Sequence, residues 1–373
     1  MHVVHIIANN TTVPYLNWFA ERLGKYPDIK FTVIALYPQE PDLIKEMKAY
    51  GCNAYWVKFD QANRKSGMVF AFFKLYRLFK HIKPDIINAH LFDDSVPALL
   101  AARFAGIKKR VVRKQDTAYH WNFNPLWVWA DRFNNFNATD IIAISEDSKK
   151  FLVEKEKAPV RKIHMVHNGI PIRDFTAQIN SDKEFLIKKY GLEGKIVLGT
   201  IARYIEWKGY RYIIEAARIL TQKHKNLKFL FVGYGEQQNE LEELVRKYGL
   251  SECIVFTNWI DRKFIPSLYG IIDVYIHAAY MEPFGFVLVE AMANGVPIVS
   301  SKTGVAADVL EHRKTCYFTR DKDPKGIYEG VEWMLENPGD REAMKEKIKK
   351  IAEEEFSVDK MFDKHIEVYK GLK

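Results

Sequence analysis

Apolar residues fall into two kinds of segment along this chain, and the two kinds alternate. Short runs rich in β-branched residues, at positions 2–8, 31–36, 54–57, 274–277 and 298–300, predict buried strands. Between such runs, segments such as 15–25, 42–50 and 210–222 carry their apolar residues on one side, which predicts helices. Strands that alternate with helices predict parallel sheets with helices on both faces. The predicted fold class is therefore α/β and doubly wound.

Length and cysteine content limit the classes of protein that the chain can belong to. Its 373 residues suggest two domains, each large enough for its own core. No run of about twenty apolar residues occurs, and the chain starts directly in a strand, so we expect neither a spanning helix nor a secretory signal. Cys52, Cys253 and Cys316 have no metal or disulfide spacing, which favours a reducing, cytoplasmic compartment.

The net charge of +9 lies entirely in the first half of the chain. Residues 1–180 hold 26 Lys and Arg against 17 Asp and Glu, whereas residues 181–373 hold 30 of each, so the difference is 26 − 17 + 30 − 30. A basic half favours an anionic partner, either an acidic membrane surface or a phosphorylated acceptor. We expect no nucleic-acid partner, because none of the standard binding motifs occurs.

The segment 68–81 is predicted to be a helix with an unusual surface. Lys74, Arg77, Lys80 and His81 fall on one face at helical spacing, and the remaining residues are largely aromatic and aliphatic. Such a helix can lie in the interface of a bilayer, with its cations toward anionic lipid. It is equally consistent with a core helix that has one solvated stripe.

The richest chemistry lies in the segment 282–299. The strand at 274–277 leads into the turn Pro283-Phe284-Gly285 and then a helix at 287–293, which Gly295 and Pro297 end. This order places Glu282 and the amides of Phe284, Gly285 and Phe286 at the carboxyl edge of a parallel sheet, where a helix N-terminus favours an anion. Glu290 lies within the helix and is placed to accept hydrogen bonds from a vicinal diol. The alternative is a solvated Glu290 and a Glu282 that only complements the helix dipole.

These residues carry a family resemblance. The string E-P-F-G-F-x-L-x-E-A-M-A-x-G-x-P-I-V closely resembles the signature of the retaining family 4 glycosyltransferases, nucleotide-sugar enzymes of the GT-B fold. Further family-like segments follow one another in the expected order across most of the chain. The resemblance implies two Rossmann-like domains that face each other across a cleft. Residues 1–176, with a C-terminal helix at 356–373 crossing back, would bind the acceptor, and residues 190–355 would bind the nucleotide sugar.

The resemblance also implies roles for individual residues. Arg203 and Lys208 match the family's diphosphate-binding cations, and Glu282 would hold sugar hydroxyls. Glu290 would bind the ribose diol, the turn Phe284-Gly285-Phe286 the phosphates, and the backbone around Trp259 the base. His90 follows a predicted strand, so a structural role and contact with the acceptor or sugar both remain open. Glu282, Arg203, Lys208 and His90 are the predicted catalytic residues.

Three positions depart from the family pattern. The loop Asn9-Asn10-Thr11-Thr12 has no glycine where the family usually has a Gly-Gly turn, so it is either a side-chain phosphate loop or a plain turn. Gln115-Asp116 replaces a histidine that related enzymes place near the donor sugar, and His120 is a candidate substitute. Asp308 stands where the family usually has a longer glutamate. Asp93 and Asp94 are expected to cap a helix and not to bind a metal.

The expected function is a retaining glycosyltransferase that uses a UDP-sugar or GDP-sugar, with no resident cofactor and no catalytic metal. The expected acceptor is a glycan or a lipid-linked molecule in the synthesis of cell-surface polysaccharide or glycolipid. The enzyme would be cytoplasmic, with a peripheral contact to the inner face of the cell membrane as one alternative. Two other functions remain open: a sugar-nucleotide epimerase of the same fold, and a non-catalytic nucleotide-sugar-binding protein associated with the membrane.

Overall fold

The computed structural model describes residues 1–9, 13–115 and 119–372. The chain forms two compact units, one comprising Met1–His167 with Asp359–Lys373 and the other Asn168–Val358. The second unit thus takes in residues 168–176, which the sequence prediction placed in the first domain. The last segment, from Asp359 onward, is part of the first unit.

The first unit is built on a parallel sheet of seven strands in the order β3-β2-β1-β4-β5-β6-β7. The strand order reverses at β1, whose neighbours are β2 and β4. This confirms the doubly wound prediction for this unit. Its strands are β1 His2–Ile7, β2 Lys30–Tyr37, β3 Asn53–Lys58, β4 Ile86–Ala89, β5 Lys109–Lys114, β6 Asp140–Ala143 and β7 Ile163–Met165.

The second unit contains a parallel sheet of six strands in the order β10-β9-β8-β11-β12-β13. Here the order reverses at β8, which lies between β9 and β11. In open sheets of this kind, ligands bind outside the carboxyl ends of the strands at the reversal. The strands are β8 Ile196–Ile201, β9 Leu227–Val232, β10 Ile254–Phe256, β11 Val274–His277, β12 Ile298–Ser301 and β13 Tyr317–Thr319.

Helices cover both sheets, and their apolar sides form a separate core in each unit. No helix among the described residues has the length and apolar content to span a membrane. The helices are α1 Pro14–Arg22, α2 Asp42–Ala49, α3 Arg64–Ile82, α4 Phe92–Ala105, α5 Tyr119–Phe123, α6 Val128–Asn137, α7 Glu146–Glu154, α8 Ile172–Thr176, α9 Lys183–Tyr190, α10 Tyr210–Lys223, α11 Gln238–Lys247, α12 Ile265–Tyr269, α13 Phe286–Ala293, α14 Gly304–Val309, α15 Pro324–Glu336, α16 Pro338–Phe356 and α17 Val358–Gly371.

The helix predicted at 68–81 is α3, and it is longer than predicted at both ends. Its buried residues are Gly67, Ala71, Leu75 and Phe79, which follow one another at intervals of four and form one narrow stripe. The predicted cations Lys74, Arg77 and Lys80 are exposed. Phe70 and Phe73 are also exposed, so aromatic and basic side chains share the outer surface of this helix.

The C-terminal helix α17 completes the core of the first unit. The ring of Phe362 lies 4.4 Å from that of Phe19 in α1, and the Asn88 side-chain amide donates to the Tyr369 hydroxyl at 2.6 Å. Both Phe362 and Tyr369 are fully buried. The sheet face beside α1 is therefore covered by residues from the two extremes of the described chain.

Candidate functional site

In the second unit, the loop after β8 and the turn after β11 meet at the reversal of strand order. Gly209 holds a left-handed φ of 75°, and a Cβ there would lie 2.2 Å from the carbonyl oxygen of Ala278. Only glycine allows this close approach, because any side chain would collide with the backbone that follows β11. The residue before it, Lys208, is thereby held next to Glu282.

Glu282 is the centre of a buried ionic cluster. Its Oε2 lies 2.5 Å from the Lys208 Nζ and 3.3 Å from the His277 Nε2. Burial by itself raises the pKa of Glu282, but the hydrogen bond from His277 and the charge of Lys208 outweigh it and lower the pKa to about 2. The carboxylate therefore stays ionised at neutral pH and is oriented by two donors.

The helix α13 begins beside this cluster. Gly285 is its N-cap with φ 91°, and the first intrahelical bonds run from the Leu288 and Val289 amides to the Gly285 carbonyl. The amides of Phe286 and Val287 have no hydrogen-bond acceptor among the described residues. The Phe284 carbonyl accepts from the Val305 amide at 2.8 Å, which fixes the turn. The start of α13 is therefore available to an anion beside the Lys208 ammonium.

Glu290 lies one helix turn further along, in a different environment. The Tyr269 hydroxyl donates to its Oε2 at 2.9 Å. Loss of water around the carboxyl raises the pKa of Glu290 to about 7, although the Tyr269 hydrogen bond and the Arg262 charge act in the opposite direction. The two glutamates of the 282–299 segment thus differ widely in pKa.

Two predicted site residues lie at the same edge without joining the cluster. Arg203, two residues after β8, is exposed. Its carbonyl accepts from the Ile205 amide at 2.9 Å, and its guanidinium makes no hydrogen bond or ion pair to another described residue. Trp259 follows β10 and is 68% exposed. Both side chains are therefore accessible from solvent beyond the strand ends.

In the first unit, His90 follows β4 at the reversal of strand order and is fully enclosed. Its Nε2 lies 2.8 Å from the Nδ1 of His5, and the His5 Nε2 lies 3.0 Å from the Tyr369 hydroxyl. Burial, the neighbouring His5 and the Arg113 charge hold the pKa of His90 well below its usual range, so the imidazole is neutral. The guanidinium of Arg113 lies 3.8 Å from the centre of the Tyr15 ring, within the same buried cluster.

Asp94 links two segments of the chain at this edge of the sheet. Its carboxylate accepts the amides of Ala8, His90 and Leu91 at 2.9 to 3.0 Å, so one side chain joins the segments that follow β1 and β4. Asp94 also completes the capping box of α4. The prediction that this aspartate caps a helix is confirmed, and its burial beside three backbone donors is new.

A polar cavity of about 350 Å³ opens next to His90. Gln115, which replaces the family's histidine, lines it and places its Nε2 3.2 Å from the His90 Nδ1. On another wall, the His120 Nδ1 lies 2.8 Å from the Asp131 carboxylate, which also pairs with Lys114 at 3.3 Å. Asp116 and residues 10–12 of the predicted phosphate loop lie outside the described residues, so neither prediction is tested.

Sequence reasoning missed several residues of both sites. His277 is the last residue of β11, and His90 directly follows β4, so both lie at a strand's carboxyl end beside the reversal of their sheet. This shared position was the signal that could have identified His277. Tyr269 and Arg262 act on Glu290 from more than twenty positions away, and no local pattern marks them. His5 is buried within β1 like its apolar neighbours, so nothing in the sequence indicated its hydrogen bonds to His90 and Tyr369.

Comparisons with known proteins agree with this architecture. Residues 182–351 match the model described as "Glycosyl transferases group 1", and residues 19–174 match "Glycosyltransferase Family 4". The fold resembles the crystal structure of Anabaena Alr3699/HepE in complex with UDP, at a TM-score of 0.83 and 20% identity over 100% of both chains. That protein has also been solved with UDP-glucose.

Two curated relatives show the extent of the sequence similarity. The uncharacterized glycosyltransferase MJ1607 of Methanocaldococcus jannaschii is 27% identical over 64% of this chain and 61% of its own length. The capsular polysaccharide biosynthesis glycosyltransferase CapM of Staphylococcus aureus is 27% identical over 76% of each chain. For the former, the alignment therefore spans less than two thirds of the relative.

Proposed function

The chain carries the two domains of a GT-B glycosyltransferase, and on that premise we propose that it transfers a sugar from a nucleoside diphosphate sugar to a glycan or lipid-linked acceptor. The observation that carries the proposal is the group formed by Lys208, Glu282 and the start of α13 at the reversal of the second sheet. Cations and backbone amides suit a diphosphate, and a fixed carboxylate suits sugar hydroxyls.

We propose that Lys208, Arg203 and the amides of α13 stabilise the negative charge that develops on the departing diphosphate. Groups held in place before the reaction lower the barrier most, because they need no reorganisation as the charge appears. Lys208 is held in this way by Glu282, at 2.5 Å. These groups supply positive charge to the diphosphate, so the proposal includes no resident cofactor or metal.

Transfer would proceed with retention at the anomeric carbon. The bond from that carbon to the diphosphate oxygen breaks, the acceptor oxygen bonds to the same face, and the acceptor's proton passes to the leaving phosphate. No other base is required, which fits a Glu282 whose lowered pKa of about 2 makes it a poor proton acceptor. Glu282 would instead orient the sugar hydroxyls.

Glu290 would bind the ribose diol, and backbone groups around the exposed residue Trp259 would contact the base. The Glu290 carboxylate, next to the Tyr269 hydroxyl, has two oxygens and can accept hydrogen bonds from both hydroxyls of a vicinal diol. The structures of HepE with UDP and UDP-glucose support a uridine donor as the first to test. A reducing, cytoplasmic setting is part of the proposal, since all three cysteines are free thiols.

The role in cell-surface polysaccharide or glycolipid synthesis is supported by the similarity to CapM. The basic first half of the chain favours an acceptor that is anionic or presented at an anionic membrane. Under this proposal, the polar cavity beside His90 is a candidate acceptor site, with Gln115 on its wall.

The test measures nucleotide release from a panel of UDP-sugars and GDP-sugars, with and without lipid-linked and glycan acceptors. We expect acceptor-dependent release and a glycoside product whose anomeric configuration, determined by NMR, matches the donor. A free epimerised sugar without acceptor would indicate an epimerase. An inverted product would reject the retaining mechanism but keep the transferase.

A further inference from the structure

Helices α3 and α4 of the first unit share an exposed apolar surface. Val69, Phe70 and Phe73 of α3 and Phe104 of α4 are 59%, 48%, 55% and 66% exposed. We call this surface, formed by three phenylalanines and one valine, the aromatic face. The Phe72 ring joins its two parts, because it lies 5.1 Å from the Phe73 ring and 5.8 Å from the Phe104 ring. Contiguous exposed aromatic surface of this kind marks an interaction site in soluble proteins.

The core does not require these aromatic side chains. The stripe of Gly67, Ala71, Leu75 and Phe79 already buries α3 against its neighbours. A Cβ at Gly67 would lie 2.7 Å from the Asp60 carbonyl, so the helix packs closely along this stripe. The phenylalanines at 70 and 73 point away from it, where a helix of a globular protein normally carries polar residues.

Positive charge surrounds the aromatic face. Over its whole length α3 contains five Lys and Arg residues and no Asp or Glu. The Lys74 ammonium lies 5.4 Å from the centre of the Phe70 ring, and Lys80 lies 5.9 Å from the Tyr76 ring. Lys108 and Lys109, beyond the end of α4, line the same cavity as Lys80 at the end of α3. The partner that complements this surface is apolar within and negatively charged at its boundary.

The next helix extends the pattern. Arg103 of α4 donates to the Asn137 side chain of α6 at 2.9 Å, so the ends of these helices lie side by side. Phe136, next to Asn137, is 72% exposed. The Lys162 ammonium bonds to the carbonyls of Asn135 and Phe136 and stays close to this end. Exposed phenylalanine next to a cation is thus repeated on a third helix.

We propose that the aromatic face docks on the interface of an anionic phospholipid bilayer. Phe70, Phe73 and Phe104 enter the boundary between headgroups and acyl chains, and Lys74, Arg77 and Lys80 contact the anionic headgroups. Neither component suffices alone, because weak interfacial insertion and surface charge reinforce each other. The inference deepens the proposed function and rests on it for its purpose, which is to bring the enzyme to a lipid-linked acceptor.

The experiment is co-sedimentation of the full chain with vesicles of phosphatidylcholine alone or with about one third phosphatidylglycerol. We expect binding to the anionic vesicles only, decreasing as ionic strength rises. The double variant Phe70→Glu/Phe73→Glu should lower the partition coefficient by about tenfold or more. The matched control is Phe185→Glu/Ile219→Glu in the second unit, whose side chains are 53% and 40% exposed, and it should bind as the wild type does.

Several outcomes would overturn the docking proposal. Equal binding of the wild type to both kinds of vesicle, or unchanged binding of the double variant, rejects it. If the double variant instead abolishes a dimer detected by light scattering while vesicles bind neither protein, the surface pairs with a second copy of the chain. Circular dichroism and nucleotide binding verify that the variants are folded.

The docking proposal and the proposed function can fail independently. Vesicle binding requires no turnover, so a protein that binds anionic vesicles and transfers no sugar rejects only the transferase. Conversely, a double variant with normal transfer to a soluble acceptor and lost vesicle binding supports docking as a separate property of the first unit.

Discussion

A buried histidine lies at the carboxyl end of a strand beside the reversal of strand order in each sheet, and the two histidines have opposite surroundings. His277 in the second unit donates toward the Glu282 carboxylate, which Lys208 also holds. His90 in the first unit faces His5, which is likewise neutral, and through it the Tyr369 hydroxyl. The same topology therefore supports an ionised cluster in one unit and an uncharged hydrogen-bonded chain in the other. The ionised cluster suits a charged donor, whereas the hydrogen-bonded histidines of the first unit stay neutral beside the buried Arg113 charge.

Removing one of the two cations proposed to bind the diphosphate should have the largest effect on the charged site of the second unit. We expect Lys208→Ala and Arg203→Ala each to lower kcat by about a hundredfold or more, the cost of losing one transition-state donor. Steady-state kinetics with the preferred donor gives the measurement. The control is Lys225→Ala, because Lys225 is exposed in the loop that follows α10. Near-normal kcat in both active-site variants would reject their assignment to the diphosphate.

Neutralising Glu282 tests whether the second cluster depends on its charge. Because the folded pKa of about 2 lies below the usual 4.5, the carboxylate stabilises the fold above pH 4.5, and this contribution is lost as pH falls toward 2. We expect Glu282→Gln to lower the free energy of unfolding by up to about 3 kcal/mol at pH 7 and by less near pH 3. Urea unfolding followed at both pH values measures it. An equal loss at both would mean that packing and not charge is responsible.

Glu290 should make donor binding depend on pH near neutrality. With a pKa of about 7, its carboxyl group is mostly protonated at pH 6 and mostly ionised at pH 8. If the ionised form accepts the ribose hydroxyls, the Kd of the nucleotide falls by roughly tenfold over this range. Calorimetric titration with UDP and GDP at each pH measures this. Glu290→Gln should flatten the dependence, and a wild-type Kd that does not change with pH would contradict the ribose assignment.

Ionisation of Glu290 lowers the free energy of unfolding, whereas ionisation of Glu282 raises it. A pKa raised from 4.5 to about 7 means that the ionised group costs stability, and that this cost develops as pH rises through this window. Glu290→Gln should therefore stabilise the second unit at pH 8 relative to pH 5. The comparison of the two variants across pH separates a carboxylate held for structure from one kept available for a ligand.

The smallest expected effect lies in the first unit. Tyr369→Phe removes the hydroxyl that accepts a hydrogen bond from the Asn88 side-chain amide and lies next to the His5 ring. We expect this loss to lower the free energy of unfolding by about 1 to 2 kcal/mol. It should also shift the ring nitrogen resonances of His90, because the hydrogen-bonded chain fixes its tautomer. Tyr26→Phe, whose hydroxyl donates to exposed Asp363, is the control. Unchanged His90 resonances would show that α17 only packs against the unit.

The second unit was far more predictable from sequence than the first. Its turn, helix and glutamates form one continuous segment, so local patterns placed Glu282 and the start of α13 at the sheet edge and Glu290 within the helix. The partner of Glu282 lies 74 positions earlier, and only the family resemblance indicated Lys208. Long-range contacts of this kind depend on tertiary packing that periodicity does not encode.

In the first unit, prediction from the sequence was limited by side-chain packing and by contacts between residues far apart in the chain. The sequence indicated a basic face on α3 and left open whether its aromatic residues lie at a bilayer interface or in the core, where bulky apolar side chains are usually found. The structure uses Gly67, Ala71 and Leu75 for packing instead, and Phe70 and Phe73 remain outside. His90 was expected at the sheet edge, and it is there. Its hydrogen bond to His5, and the bond from His5 to Tyr369, involve residues 85 and 279 positions away from it, which no local pattern could indicate.

The placement of α17 has a consequence for synthesis on the ribosome. Residues from Asp359 onward belong to the first unit, yet they are translated after the whole of the second. Until they emerge, Phe19 and His5 lack the rings of Phe362 and Tyr369 that cover them in the finished structure. The first unit therefore reaches its native core last, although its sheet is made first, and nascent chains must carry an uncovered apolar surface while the second unit folds.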